Sequence, residues 1–111
     1  MPIVRRDDTS YTLASNASST ATGINSGNGL LIPGGEYMFM VEGVAGSSTI
    51  SLQIKSLNGT WMDVQVFTGA VVKFTVLPGN QSGIDLPSGL VRMATTGGSP
   101  SGLYAYLIGN G

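Results

Sequence analysis

Residues 49–66 read TISLQIKSLNGTWMDVQV, and this stretch decides the fold. Ile50, Leu52 and Ile54 alternate with Ser51, Gln53 and Lys55. Strict alternation of apolar and polar residues is the pattern of a half-buried strand. A second alternation follows, with Met62, Val64 and Val66 against Trp61, Asp63 and Gln65. Asn58-Gly59 lies between them. That dipeptide is a strong hairpin signal, because both central residues of a type I′ turn need positive φ. The sequence predicts antiparallel strands over 49–56 and 61–67 that share an apolar face. It also predicts Lys55 beside Asp63 on the outer face, a surface pair of small energetic weight.

The same grammar runs outward in both directions. Turn signals fall at Pro33-Gly34-Gly35, Pro78-Gly79, Pro87-Ser88-Gly89 and Gly97-Gly98. Between them further strands are predicted over 36–44, 71–77, 84–86, 90–95 and 103–108, and one or two more over 10–25. No window of helical period survives the turn residues. Short strands at this spacing predict an all-β, antiparallel two-sheet β-sandwich of jelly-roll type. The expected organisation is a short N-terminal arm, residues 1–10, followed by a single β-sandwich domain, residues 11–111.

Two strands are apolar on both sides. Tyr37, Phe39 and Val41 alternate with Met38 and Met40, and Leu103, Ala105 and Leu107 alternate with Tyr104, Tyr106 and Ile108. In a two-layer domain one face of an antiparallel sheet normally meets water. The Tyr104-Tyr106-Ile108 face or the Tyr37-Phe39-Val41 face is therefore expected to be covered by a neighbour. Composition points the same way. Only 10% of the 111 residues are charged, against about 25% in a typical soluble domain. So sparse a charge protects a free monomer weakly against association.

The composition also narrows the chemistry. There is no His and no Cys, and the net charge is −1. Nucleic-acid binding would need a basic stripe, and the sequence has none. The start, MPIVRRDDTS, has an arginine pair but no apolar run after it, so it does not read as a secretory signal. No apolar run approaches the length of a membrane span. A Ser or Thr nucleophile would need an activating base. Glu36, Glu42, Asp63 and Asp85 read as solvated carboxylates rather than a paired acid and base. No catalytic residue, metal ligand, cofactor or small-molecule substrate is expected. Trp61 has two readings, an anchor for a protein or sugar contact and a cover packed over the hairpin.

Residues 46–64, GSSTISLQIKSLNGTWMDV, and 86–108, LPSGLVRMATTGGSPSGLYAYLI, resemble small virion proteins of tailed bacteriophages. The size and texture are similar to the capsid decoration, or cement, proteins of short-tailed phages. The resemblance implies a jelly-roll protein on the outer surface of the capsid in the virion. It implies a homo-oligomer, dimer or trimer, that clamps neighbouring copies of the major capsid protein. Trp61, Tyr104 and Tyr106 would belong to its packed scaffold. By analogy of architecture, Ile3, Val4, Arg5 and Arg6 of the arm would grip the shell. Those seven residues are the candidate protein-interface set. The alternative is a glycan-binding β module of a phage tail or adhesin, built around an exposed aromatic platform.

Overall fold

The computed structural model of the chain describes residues 10–66 and 68–109. It contains β1 (Ser10–Ala17), β2 (Leu30–Ile32), β3 (Gly35–Val44), β4 (Thr49–Lys55), β5 (Trp61–Asp63), β6 (Lys73–Phe74), β7 (Gly79–Leu86), β8 (Gly89–Thr96) and β9 (Ser101–Gly109). Two 3-10 turns, Thr20–Thr22 and Ile24–Gly27, lie between β1 and β2, and no α-helix occurs among the described residues. Ser10 already pairs with Ile108, so the first sheet begins at the last residue assigned to the arm.

The strands form an antiparallel two-sheet sandwich. One sheet has the order β1-β9-β3-β7, here the β3/β9 sheet. The other has the order β2-β8-β4, with β5 and β6 both on the far edge of β4, here the β4/β8 sheet. The pairing is nested: β1 with β9, β2 with β8, β3 with β7, and β4 with β5 and β6.

Alternation decides which side chains enter the space between the sheets. Tyr37, Phe39 and Val41 of β3 and Leu103, Ala105 and Leu107 of β9 point inward and are buried. Ile50 and Leu52 of β4 and Val91 and Met93 of β8 meet them from the other sheet. Phe39 stacks on Phe74 across the sandwich, with ring centroids 5.7 Å apart and planes 14° from parallel. Offset stacking of this kind adds to the area that the rings bury. Tyr37 meets Tyr11 edge-on at 6.2 Å.

The structure corrects several sequence expectations. The Tyr37-Phe39-Val41 face is core, not a surface covered by a neighbour, because the opposite sheet already covers it. Only Gly59 of the Asn58-Gly59 pair has positive φ, +86°. The turn closes through Gly59 N–H to Ser56 C=O (3.0 Å) and Ser56 N–H to Thr60 C=O (2.8 Å). That is the three-residue hairpin loop, a tight turn followed by a glycine bulge. Its register sets Lys55 opposite Trp61 and Gln53 opposite Asp63, so the expected Lys55–Asp63 neighbours are not cross-strand partners.

The expected strands over 61–67 and 71–77 are also interrupted. β5 ends at Asp63 and β6 holds only Lys73–Phe74. Around Leu52 the ladder becomes three-cornered: Leu52 N–H donates to Val72 C=O, Val64 N–H to Leu52 C=O, and Val72 N–H to Val64 C=O. Val64 and Val72 are drawn into the core there, while Met62, opposite Ile54 at the end of the sheet, stays 54% exposed. β2 falls outside the forecast strands, and β7 begins at Gly79, five residues before the forecast 84–86.

The polar stretch before β2 is held by named bonds. Thr95 N–H donates to Thr20 Oγ1 at 2.7 Å, and Thr20 N–H returns a bond to Thr95 Oγ1 at 3.1 Å. These tie the first 3-10 turn to β8. Asn25 Nδ2 donates to Gly29 C=O at 2.8 Å and fixes the approach to β2.

Candidate functional site

The sandwich presents two outer faces of different character. On the β3/β9 sheet, inward Tyr37, Phe39 and Val41 leave Glu36, Met38, Met40 and Glu42 outward. Their β9 neighbours are Ile108 opposite Met38, Tyr106 opposite Met40, and Tyr104 opposite Glu42. Met38, Met40, Tyr104, Tyr106 and Ile108 thus form one contiguous half-exposed patch. Thr12 of β1 continues the row beyond Tyr106, and Asn80 of β7 continues it beyond Met40. Glu36 lies directly opposite Asp85 at one end, and both are exposed.

The outer face of the β4/β8 sheet is a polar lattice around Trp61. Arg92, between inward Val91 and Met93, donates from Nε to Gln53 Oε1 at 2.9 Å and from Nη1 to Gly27 C=O at 3.1 Å. Gln53 donates in turn from Nε2 to Asp63 Oδ1 at 3.0 Å. The guanidinium carbon of Arg92 lies 4.2 Å from the centre of the Trp61 ring, and Lys55 Nζ lies 5.8 Å from it. Both distances are in the range of cation–π attraction. Partial burial lowers the Arg92 pKa from its ordinary value, since desolvation disfavours the charged form. Gly29 sits against the indole edge: a Cβ there would fall 2.7 Å from Trp61 Cη2 and 2.9 Å from Val91 O.

The candidate interface residues therefore do not converge. Tyr104 and Tyr106 stand on the outer face of the β3/β9 sheet, and Trp61 stands on the other side of the sandwich. Ile3, Val4, Arg5 and Arg6 lie outside the described residues. Trp61 is half-buried, with a guanidinium over its ring. That is the packed-cover reading rather than an open stacking platform. Met38, Met40 and Ile108 complete the patch that the two tyrosines begin. Their alternation was visible in the sequence, but their adjacency follows from the β3–β9 register. Arg92 and Gln53 carried no sequence signal as a pair, because they are 39 residues apart and meet only through the β4–β8 ladder.

The carboxylates divide in the same way. Glu36, Glu42 and Asp85 share the β3/β9 face, and Asp63 is on the other sheet. Among the described residues no three or more His, Cys, Asp or Glu side chains gather as metal ligands would. No protein-family model, curated protein or solved structure matches this chain.

Proposed function

We propose that this chain is a structural virion protein that binds the outside of a phage capsid and stabilises the shell by clamping neighbouring major capsid proteins. The observation that carries the reading is the outer face of the β3/β9 sheet. It offers Met and Tyr side chains, residue types enriched at protein interfaces, on a rigid sheet. A staple needs a complementary surface repeated by symmetry and no turnover. Modest contacts hold firmly when several linked copies engage one lattice. The reading is non-enzymatic. Glu36 and Asp85 are neighbours, but both are exposed, without the burial that tunes a carboxyl for acid–base work.

The sandwich is proposed to be of jelly-roll type. If β5 and β6 are taken as one interrupted strand, the nested pairing is that of a long double-stranded ribbon rolled up on itself. Ile3, Val4, Arg5 and Arg6 enter as residues that grip a neighbouring subunit, the arginines through forked hydrogen bonds to carboxylates. The chain acts as a dimer or trimer on the shell. Trp61, on which the glycan-binding alternative rests, is half-buried with Arg92 over its ring.

Co-sedimentation of the purified chain with undecorated capsids tests the proposal. The wild type pellets with shells and raises their resistance to heat. Tyr106→Asp binds at least tenfold more weakly, because a carboxylate would be buried unpaired. Shells that neither bind nor gain resistance from the wild type would refute it.

A further inference from the structure

The described residues carry seven charged side chains, and the two sheets sort them largely by sign. Glu36, Glu42 and Asp85 stand on the outer face of the β3/β9 sheet, where no described Lys or Arg accompanies them. Lys55, Lys73 and Arg92 belong to the β4/β8 sheet, with Asp63 as its one acid. Glu36 and Asp85 face each other directly across the β3–β7 ladder. Like charges in direct cross-strand register oppose folding. Among the described residues no basic neighbour on the face relieves that repulsion.

We infer that the outer face of the β3/β9 sheet docks onto a protein surface with an apolar centre and a Lys/Arg rim, and so is the side turned toward the shell. The inference rests on the shell-binding reading above and adds to it an orientation and a partner chemistry. Met38, Met40, Tyr104, Tyr106 and Ile108 fill the apolar centre. Glu42 at one end and the Glu36–Asp85 pair at the other meet the cationic rim. Complementary rim charge sets register and association rate more than raw affinity.

A second copy of this chain is the wrong occupant for the same face. An isologous pair would bring six carboxylates, three from each copy, onto one small contact. The face is also small. Its strands run 8–10 residues, about 26–33 Å, and the four together are about 19 Å wide, a flat footprint of roughly 500–600 Å². A standard stable interface buries about 800 Å² on each partner. Such a face serves as one contact among several, as on a lattice, and not as a lone dimer interface.

The experiment compares three full-length proteins on undecorated capsids at low and high salt: the wild type, the triple variant E36Q/E42Q/D85N, and K55Q/K73Q. Peroxide footprinting by mass spectrometry then compares Met38 and Met40 with Met62, which is exposed on the other sheet. The wild type is expected to bind more weakly as salt rises. The triple variant should bind at least fivefold more weakly at low salt and lose most of the salt response. Its thermal midpoint should equal or exceed that of the wild type, since the Glu36–Asp85 repulsion is gone. K55Q/K73Q should match the wild type. On shells, Met38 and Met40 should become protected while Met62 stays reactive.

Equal binding by the triple variant would overturn the inference while leaving the shell-binding reading intact. So would loss of binding in K55Q/K73Q, or protection of Met62 in place of Met38 and Met40. A wild-type dimer in solution that protects Met38 and Met40 without shells would make a second copy the occupant and overturn it too. A wild type that binds no shell would refute the shell-binding reading itself, and the partner assigned here with it.

Discussion

Arg92→Ala isolates the brace on the β4/β8 sheet. In the wild type one guanidinium makes two hydrogen bonds, to Gln53 Oε1 and Gly27 C=O, and lies 4.2 Å from the Trp61 ring centre. A hydrogen bond from a charged donor contributes about 1.5–3 kcal/mol when fully desolvated. Arg92 is only part-buried, so about 1 kcal/mol for each is the better figure. A cation over an exposed aromatic ring adds about 0.5–1 kcal/mol. The sum is about 2.5–3 kcal/mol for Arg92→Ala. Arg92→Lys keeps a cation near the indole but loses the rigid fork, so it should cost roughly half as much.

For a domain of this size about 1 kcal/mol moves the thermal midpoint by roughly 4–8 °C. Arg92→Ala should therefore melt roughly 10–24 °C below wild type. Trp61 is the one tryptophan in the chain, so urea unfolding followed by its fluorescence reads the brace itself. Far-ultraviolet circular dichroism reads the sheets in the same titration. Both probes should shift together, and combining Arg92→Ala with Trp61→Phe should cost less than the sum of the two. An Arg92→Ala protein within about 0.5 kcal/mol of wild type, with unchanged indole emission, would refute the reasoning.

Phe39→Ala removes the fully buried ring stacked on Phe74 and should cost about 3–5 kcal/mol in denaturant unfolding. Gly29→Ala and Gly59→Ala share positive φ, +88° and +86°, but differ in surroundings. Gly59→Ala should cost about 1–2 kcal/mol for the backbone alone. Gly29→Ala should cost more, because its Cβ strikes Trp61 and the Val91 carbonyl, and differential scanning calorimetry separates the two. Tyr37, whose hydroxyl donates to Pro33 C=O, has its pKa raised above the ordinary 10 by burial and, secondarily, by Tyr11. The folded chain thus holds that proton more tightly than the unfolded one. Stability from this source is complete below pH 10 and lost as pH rises through the raised value. Tyr37→Phe should flatten that alkaline loss in unfolding curves taken across the range.

Much of the fold was legible because strand alternation is local. The two alternating sets of β3, β4 and β9 can be read from every second residue of 36–44, 49–56 and 103–108, but for β3 and β9 the alternation does not say which set faces inward. The glycine- and proline-marked turns separate most strands correctly. Periodicity failed where the chain departs from a continuous ladder. The break between β5 and β6 follows from three backbone bonds around Leu52, and those groups lie in three separate segments. The hairpin turn failed for a related reason. Ser56 and Thr60 close a three-residue loop around Leu57, Asn58 and Gly59, where the dipeptide alone suggested a two-residue one.

The sequence by itself determined that this is an all-β chain, that β3 and β9 carry apolar residues on both sides, and that charge is scarce. These are properties of composition and of a period of two, and they need no partner strand to be seen. Only the tertiary structure decided which apolar side of β3 faces inward and which meets the outside. It placed Trp61 under Arg92, on the opposite side from Tyr104 and Tyr106. It set Glu36 against Asp85. Each of these depends on which strands pair and in what register. Register is fixed by the packing of the whole sandwich, because a slip of one residue would turn every buried side chain to water.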